Sequence, residues 1–189
     1  MKKSLIIILL LGLIVSCMNT SDINFNGSNW TQYNLNPNFE LTDHTGNKKS
    51  LTDFQGKVVA LFFGFTHCPD ICPTTMQELK LVKAELGDQH NNFQVLFITL
   101  DPERDTVEIL KEYIPSFDSS FIGLTGNKVD IMNITRQYKV FAQKVGDGDD
   151  YTIDHSSGIY IIDNEGKIRV RHPYGATPLS IAEDILRLI

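Results

Sequence analysis

Two continuous apolar runs dominate the hydrophobic pattern of the chain, at residues 58–65 and 93–100. Runs of this kind are typical of strands that are buried on both faces, as in a parallel sheet covered by helices. Between them, apolar residues recur at helical spacing over residues 73–86, and Gly87 follows as a helix-ending residue. The pattern therefore predicts a strand, a helix and a second strand in succession.

The rest of the chain continues this alternation. Residues 39–51 and 158–170 each contain two short runs around a Gly-containing turn, which predicts two β-hairpins. Helices are predicted over residues 105–113, over residues 128–138 and after Thr177. Because strands alternate with helices and a hairpin precedes the last helix, we predict an α/β, thioredoxin-like fold. Its expected form is a three-layer α/β/α sandwich with a mixed central sheet and an N-terminal β-hairpin extension.

Two of these helices carry specific expectations. Asp105, with Glu108 three residues later, resembles a capping box, so the helix is expected to begin at Asp105. In the helix over residues 128–138, the candidate core residues are Val129, Met132 and Ile134.

Composition and charge narrow the class of protein. The 189 residues suit one domain, and 42% hydrophobic with 21% charged residues is the balance of a globular chain. A net charge of −6 argues against nucleic acid as a partner, because phosphate binding requires a basic face. Three cysteines are too few for a disulfide scaffold, but they suit one processing cysteine and one functional pair.

The N-terminus has the pattern of an export signal. Lys2 and Lys3 precede an apolar stretch at residues 5–13 that is too short to span a bilayer. The stretch ends at Ser16 and Cys17, which resembles a bacterial lipobox and implies lipidation of Cys17. The alternative is an ordinary secretory signal with a chance cysteine.

We therefore divide the chain into a signal peptide at residues 1–16, a polar flexible tether at 17–36 and one domain at 37–189. The expected location is extracytoplasmic. A lipid would hold the protein to a membrane in the periplasm or at the outer face of the cell membrane.

Cys68 and Cys72 lie between the first buried strand and the helix that follows it. Ligands of α/β sheets gather at this edge, so the pair is placed for function. Pro69 and Pro73 stiffen the loop, and the helix N-terminus is expected to favour the Cys72 thiolate. An inert buried cysteine pair is disfavoured, because two cysteines flanked by prolines at the end of a strand do not suit a packed core. The pair alone leaves both metal binding and disulfide chemistry open.

A third ligand is needed for a Cu(II) site, and imidazole is a common addition to two sulfurs. His155 directly precedes the strand before which thioredoxin folds place a cis-proline, and no proline occurs between Pro115 and Pro173. The other histidines are expected to be bystanders. Exposed positions are predicted for His44, His90 and His172. His67 neighbours Cys68, but its side chain is expected on the opposite face of the strand.

Three motifs, at residues 64–73, 101–106 and 154–156, resemble the SCO/SenC family of copper-binding thioredoxin-fold proteins. The resemblance implies that Cys68, Cys72 and His155 bind one copper ion, as Cu(I) or Cu(II). It also implies a role in assembling the CuA centre of cytochrome c oxidase. The oxidase subunit that carries CuA would then be a partner, together with a second copper chaperone or a thioredoxin-like reductant. Many family members use a transmembrane helix, whereas this chain is expected to use a lipid.

The competing function is a thiol-disulfide oxidoreductase that reduces the CuA-site cysteines with Cys68 and Cys72, without metal. His155 discriminates between the two functions, because only metal binding needs it. A peroxidase is disfavoured because the second cysteine is too close to the first for that class of enzyme.

Two roles remain open for residues 101–106. They either cap a helix and form ion pairs, or they form an outer shell around the metal. Asp70 and Asp154 are candidate outer-shell or axial oxygen ligands.

Overall fold

A mixed eight-stranded sheet forms the centre of the computed structural model, which describes residues 23–35, 37–148 and 150–189. The strands of this sheet are β1 (Ser28–Asn29), β2 (Glu40–Asp43), β3 (Lys48–Ser50), β4 (Val58–Gly64), β5 (Phe93–Thr99), β6 (Ile122–Thr125), β9 (Ile159–Ile162) and β10 (Ile168–His172). Their order in the sheet is β1-β10-β9-β4-β5-β6-β2-β3. A separate two-stranded ribbon is formed by β7 (Ala142–Val145) and β8 (Thr152–His155).

Four α-helices cover the two faces of the sheet. They are α1 (Ile71–Glu85), α2 (Val107–Tyr113), α3 (Lys128–Gln137) and α4 (Pro178–Leu186). Residues of α1, α2 and α4 share one apolar cluster with one face of β4 and β5, while α3 packs into a second cluster on the other face. The predicted α/β sandwich with a mixed central sheet is therefore confirmed. No helix in the described part of the chain is long and apolar enough to cross a membrane.

Pairing in the sheet brings one end of several strands together. β4 pairs in parallel with β5 and antiparallel with β9, and Phe62 lies opposite Ile159. Ile159 in turn lies opposite His172 of β10, and Ser28 of β1 lies opposite Arg171. The end of β4, the start of β9, the end of β10 and the start of β1 therefore lie at the same edge.

Two helix predictions were wrong in detail. α2 begins after Thr106, whose side chain accepts the Ile109 N–H. Asp105 is buried, and its carboxylate makes hydrogen bonds outside this helix. In α3, Val129 and Met132 are 63% and 43% exposed, and Ile131 faces the core with Ile134. The helical repeat of 3.6 residues explains this, because the positions that share the inward face with Ile134 are three and four residues away.

Part of the predicted tether, before the predicted boundary at residue 37, makes long-range contacts with the domain. β1 pairs with β10, and Asp184 accepts the backbone N–H groups of Asn26 and Gly27 at 2.9 and 3.0 Å. Trp30 packs edge-on against Tyr160, with ring centroids 5.4 Å apart. Residues 26–35 of the predicted tether therefore belong to the folded unit. The prediction missed them because a polar sequence does not reveal such long-range contacts. The predicted signal peptide and Cys17 lie outside the described residues.

Candidate metal centre

The loop between β4 and α1 carries the cysteine pair. Cys68 is half-buried in the loop, whereas Cys72 lies in the first turn of α1 and is fully buried. The helical spacing over residues 73–86 placed Pro73 at the first helical position, but Pro73 is the third residue of α1. It still lies where helical N–H groups have no partner within the helix. A Cβ atom at Gly64 would lie 3.0 Å from the Cys72 sulfur, so the end of β4 packs directly against it.

Both cysteines are free thiols in this structure. The Cys68 sulfur accepts the Cys72 backbone N–H at 3.4 Å. Burial raises the pKa of the Cys72 thiol far above its ordinary value, and the nearby Cys68 raises it further. Desolvation of the buried sulfur therefore opposes the thiolate that the helix N-terminus was expected to favour.

The β7–β8 ribbon delivers His155 to the same place. Nε2 of His155 lies 3.7 Å from the Cys72 sulfur, and the ring packs edge-on against Phe65 with centroids 5.9 Å apart. Nδ1 lies 3.1 Å from the Ser156 carbonyl oxygen, which can only accept a hydrogen bond, so Nδ1 donates. Burial lowers the pKa of His155, so the ring is neutral near pH 7. Nε2 then presents its lone pair toward the sulfur.

The separation of these two atoms suits a shared metal ion. Thiolate and imidazole ligands lie about 2.3 and 2.0 Å from a first-row ion such as zinc, which puts sulfur and nitrogen about 3.5–3.7 Å apart at tetrahedral or trigonal angles. The observed 3.7 Å fits that range. Among the described residues, however, no three Cys, His, Asp or Glu side chains converge as a closed metal site. Cys72 and His155 are in place, while Cys68 still binds the amide of Cys72.

An open cavity of about 430 Å³ gives access to two of the three donors, Cys68 and His155. Cys68 and His155 line it together with apolar side chains that include Phe65, Ile71 and the 58% exposed Phe141. Asp70 and Asp154 are exposed at the same cavity. The structure therefore brings both predicted carboxylates to the rim of the site.

Asp105 holds the start of the cysteine loop. Its buried carboxylate accepts hydrogen bonds from the Thr66 N–H at 3.0 Å, from the Thr66 hydroxyl at 2.5 Å and from the Thr99 hydroxyl at 2.6 Å. Thr66 lies two residues before Cys68, so this carboxylate fixes the loop to the end of β5.

Asp101 holds the ribbon that carries His155. The Tyr151 hydroxyl donates to Asp101 at 2.7 Å, and the Arg104 guanidinium pairs with the same carboxylate. Arg104 also stacks on the Tyr151 ring at 3.6 Å, and the Lys144 ammonium lies 3.5 Å from the centre of that ring. Residues 101–106 therefore join both halves of the site. Sequence reasoning missed Tyr151, and the only signal was the short alternation of apolar and polar residues over positions 151–154.

The remaining histidines divide into two kinds. His67 is exposed, 3.1 Å from the Thr66 hydroxyl, and His90 is exposed beside the Gly87 carbonyl, as expected for bystanders. The prediction of exposed positions was wrong for His44 and His172. His44 is buried and accepts the Gly123 N–H, and His172 is buried 3.0 Å from Asp184. Both serve contacts between distant segments that local sequence does not reveal.

Comparisons with known proteins agree with this architecture. The SCO1/SenC family profile matches residues 28–189. The SCO2-like protein of Rickettsia felis is 41% identical over 148 residues, which are 77% of this chain and 72% of that protein. The solved structure of Bradyrhizobium japonicum ScoI with copper bound is 36% identical with a TM-score of 0.76, over 82% of this chain and 99% of that one.

A more distant structure shares the fold. BsSco is described as having a disulfide switch and as a member of the Sco family of cytochrome c oxidase assembly proteins. It is 22% identical with a TM-score of 0.67, over 87% of this chain and 96% of that chain. The predicted thioredoxin-like fold is confirmed by these similarities.

Proposed function

This chain belongs to the SCO1/SenC family, and from that premise we propose that it is a copper metallochaperone. It binds one copper ion through Cys68, Cys72 and His155. The observation that carries the proposal is the 3.7 Å approach of the Cys72 sulfur to Nε2 of His155, on a cavity that Cys68 also lines. The copper-bound ScoI structure supports the choice of metal.

The donor set suits copper in both oxidation states. Thiolates are soft ligands that favour Cu(I), and a neutral imidazole adds a ligand that Cu(II) favours. Copper must displace the proton of Cys72, because burial keeps that thiol protonated in the metal-free protein. Cys68 is the more exposed of the two cysteines, so it is the sulfur ligand that a second protein can reach.

The same asymmetry provides a route for metal transfer. Cys72 holds the ion from the buried side, while Cys68 and His155 line the open cavity. A ligand of a second protein can approach through that cavity and replace one of these two before Cys72. The proposed recipient is the cytochrome c oxidase subunit that carries CuA. This is the target that the three sequence motifs imply and the one consistent with the description of BsSco as an oxidase assembly protein.

Anaerobic titration with copper tests the ligand set. The domain should bind one Cu(II) and show an intense sulfur-to-copper charge-transfer band, and Cys68→Ser or Cys72→Ser should abolish the band. His90→Ala is the matched control, because the His90 side chain is exposed and lies beside the Gly87 carbonyl. A Cys68→Ser or Cys72→Ser protein that keeps the band would contradict the proposal.

A second candidate function is thiol-disulfide exchange, favoured by the different exposure of the two free thiols. The Cys68 thiolate would attack a disulfide in the target, form a mixed disulfide and release one target thiol. Cys72 would then displace the second target thiol and close the Cys68–Cys72 disulfide. The target gains two electrons, and a thioredoxin-like reductant restores the dithiol. This cycle uses no metal and no His155.

We further propose that lipid on Cys17 anchors the domain at the extracytoplasmic face of a membrane. The proposal rests on the short apolar stretch and the Ser16–Cys17 junction in the sequence. A single acyl chain gives reversible membrane binding and two give stable anchoring, so the number of chains sets how firmly the domain is held.

A further inference from the structure

Phe141 is an exposed aromatic residue on a well-fixed stretch of backbone beside the metal site. It is 58% exposed and lines the same cavity as Cys68 and His155. The Phe141 N–H donates to the Ser156 hydroxyl at 3.2 Å, and the Phe141 carbonyl accepts the Ser156 N–H at 3.0 Å. Because the Ser156 carbonyl also accepts from the His155 ring, the same residue fixes the imidazole and the exposed phenyl ring.

Apolar surface continues from this ring around the mouth of the cavity. Pro69 of the cysteine loop is exposed, Ile71 at the start of α1 is half-buried, and both line the cavity. We call Phe141, Pro69 and Ile71 the apolar rim. A single exposed apolar side chain is ordinary, but apolar side chains from two separate segments that frame a reactive site are typical of an interaction surface.

The exchange of a metal ligand determines what covers the apolar rim. An incoming sulfur or nitrogen atom must come within about 2.0–2.3 Å of a first-row ion, so the protein that carries it has to lie on the mouth of the cavity. We propose that the apolar rim docks the copper recipient, the oxidase subunit that carries CuA, and that the Phe141 ring fills an apolar pocket of that subunit. This inference rests on the proposed function.

The charges at the cavity disfavour two other occupants. Among the described residues that line it, Asp70 and Asp154 are acidic and none is lysine or arginine. A second copy docked face to face would bring the carboxylates of both copies together, which opposes association. An anionic lipid surface would repel them in the same way. The apolar rim therefore suits a protein surface that is apolar around its metal ligands and neutral or basic at its margin.

Phe141→Ala tests the proposal, with Leu186→Ala as the matched control. Leu186 is 46% exposed at the C-terminal end of α4 and does not line this cavity. The full-length protein is loaded with Cu(I) and mixed with the metal-free oxidase subunit that carries CuA. A buried aromatic anchor contributes about 2 kcal/mol or more, so the second-order rate constant of copper transfer should fall about thirtyfold in Phe141→Ala. Leu186→Ala should transfer copper like the wild type.

A small acceptor separates docking from metal binding. Dithiothreitol is a neutral dithiol that enters the cavity without covering the apolar rim, so it should remove Cu(I) from Phe141→Ala and wild type at equal rates. Slower removal from Phe141→Ala would assign the ring to metal binding and overturn the inference. Equal transfer to the oxidase subunit by both proteins would overturn it as well, while the proposed function stands.

Two further outcomes are distinct from these. If the wild type gives no copper to the oxidase subunit, the proposed recipient is wrong and this inference fails with it. Sedimentation of the copper-loaded protein should show a monomer. Self-association that is lost in Phe141→Ala, with copper transfer unchanged, would assign the apolar rim to a second copy of the chain and overturn the inference.

Discussion

The hydroxyl of Tyr151 donates a 2.7 Å hydrogen bond to the buried carboxylate of Asp101, across 50 positions of sequence. Tyr151 directly precedes β8, and Asp101 follows β5, so this bond joins the ribbon that presents His155 to the main sheet. The position of the imidazole therefore depends on a contact that lies outside the three proposed ligands.

Tyr151→Phe should loosen this connection. It leaves one oxygen of the Asp101 carboxylate without its partner, and we expect a loss of about 1–3 kcal/mol in the free energy of unfolding. Cu(II) affinity should fall severalfold, because His155 is held less firmly. Denaturant unfolding and copper titration measure the two effects. Tyr33→Phe is the control, since Tyr33 is 47% exposed. Equal Cu(II) affinity in Tyr151→Phe and wild type would contradict the positioning role.

His155→Ala should separate the two proposed functions. Loss of the imidazole removes a ligand that Cu(II) favours and Cu(I) needs less, so Cu(II) affinity should fall about a thousandfold, equivalent to ~4 kcal/mol. Cys68 and Cys72 should still form a disulfide and exchange with a small dithiol. Failure of oxidase assembly in cells that carry this variant would identify copper handling as the essential activity. Assembly that survives His155→Ala but fails with Cys72→Ser would favour the reductase.

Asp118 should make stability depend on acid pH. Burial alone would raise the pKa of Asp118, but hydrogen bonds from Lys83 and Ser120 outweigh it and lower the pKa to about 2. The contribution to stability is therefore complete above the ordinary pKa of 3.8 and is lost as the pH falls toward 2. Asp118→Asn should cost on the order of 1–2 kcal/mol of unfolding free energy at pH 7.

The difference between wild type and Asp118→Asn should disappear near pH 2, as measured by denaturant unfolding across the pH range. Glu165→Gln is the control. It removes an ion pair with Lys167 in which both side chains are exposed, so no measurable change is expected. A constant difference between wild type and Asp118→Asn at all pH values would show that the carboxylate charge plays no part.

Cys17 should accept lipid. A labelled fatty-acid analogue should mark the wild-type protein and leave Cys17→Ala unlabelled, because no other cysteine follows the apolar stretch directly. Cys68→Ser is the control and should label like the wild type. Equal labelling of wild type and Cys17→Ala would contradict the prediction, and absence of label from both would favour an ordinary secretory signal.

Local sequence was sufficient for the elements that form the cysteine loop. The apolar run of β4, the prolines around Cys68 and Cys72 and the helical spacing of α1 all act within a few residues, so their pattern is visible in the chain. The family resemblance of the three motifs, confirmed by the match over residues 28–189, came from the same short segments.

The errors concern contacts between distant segments. Asp105 has the spacing of a helix cap, but two threonine hydroxyls and a backbone N–H satisfy it in the core instead. His172 follows the pattern of a loop residue, yet Asp184 of α4 pairs with it in the interior. β1 consists of two polar residues and is a strand only because β10 supplies its partner. Patterns of polarity do not contain such pairings, since these depend on which segments become neighbours after folding.

The path of the chain into β1 sets how the copper-binding edge can face a membrane. Gly27 binds Asp184 beside β10, but Ile23 lines a cavity with Asp163, Asn164 and Glu165 of the turn between β9 and β10, at the opposite edge of the sheet. The chain therefore comes to β1 from the end of the domain that is far from the cysteine loop. A chain segment from residue 17 to residue 23 spans about 20 Å at full extension. If Cys17 is fixed in a lipid surface, that far end is held close to the bilayer, and the copper-binding edge is turned toward recipients that project away from the membrane.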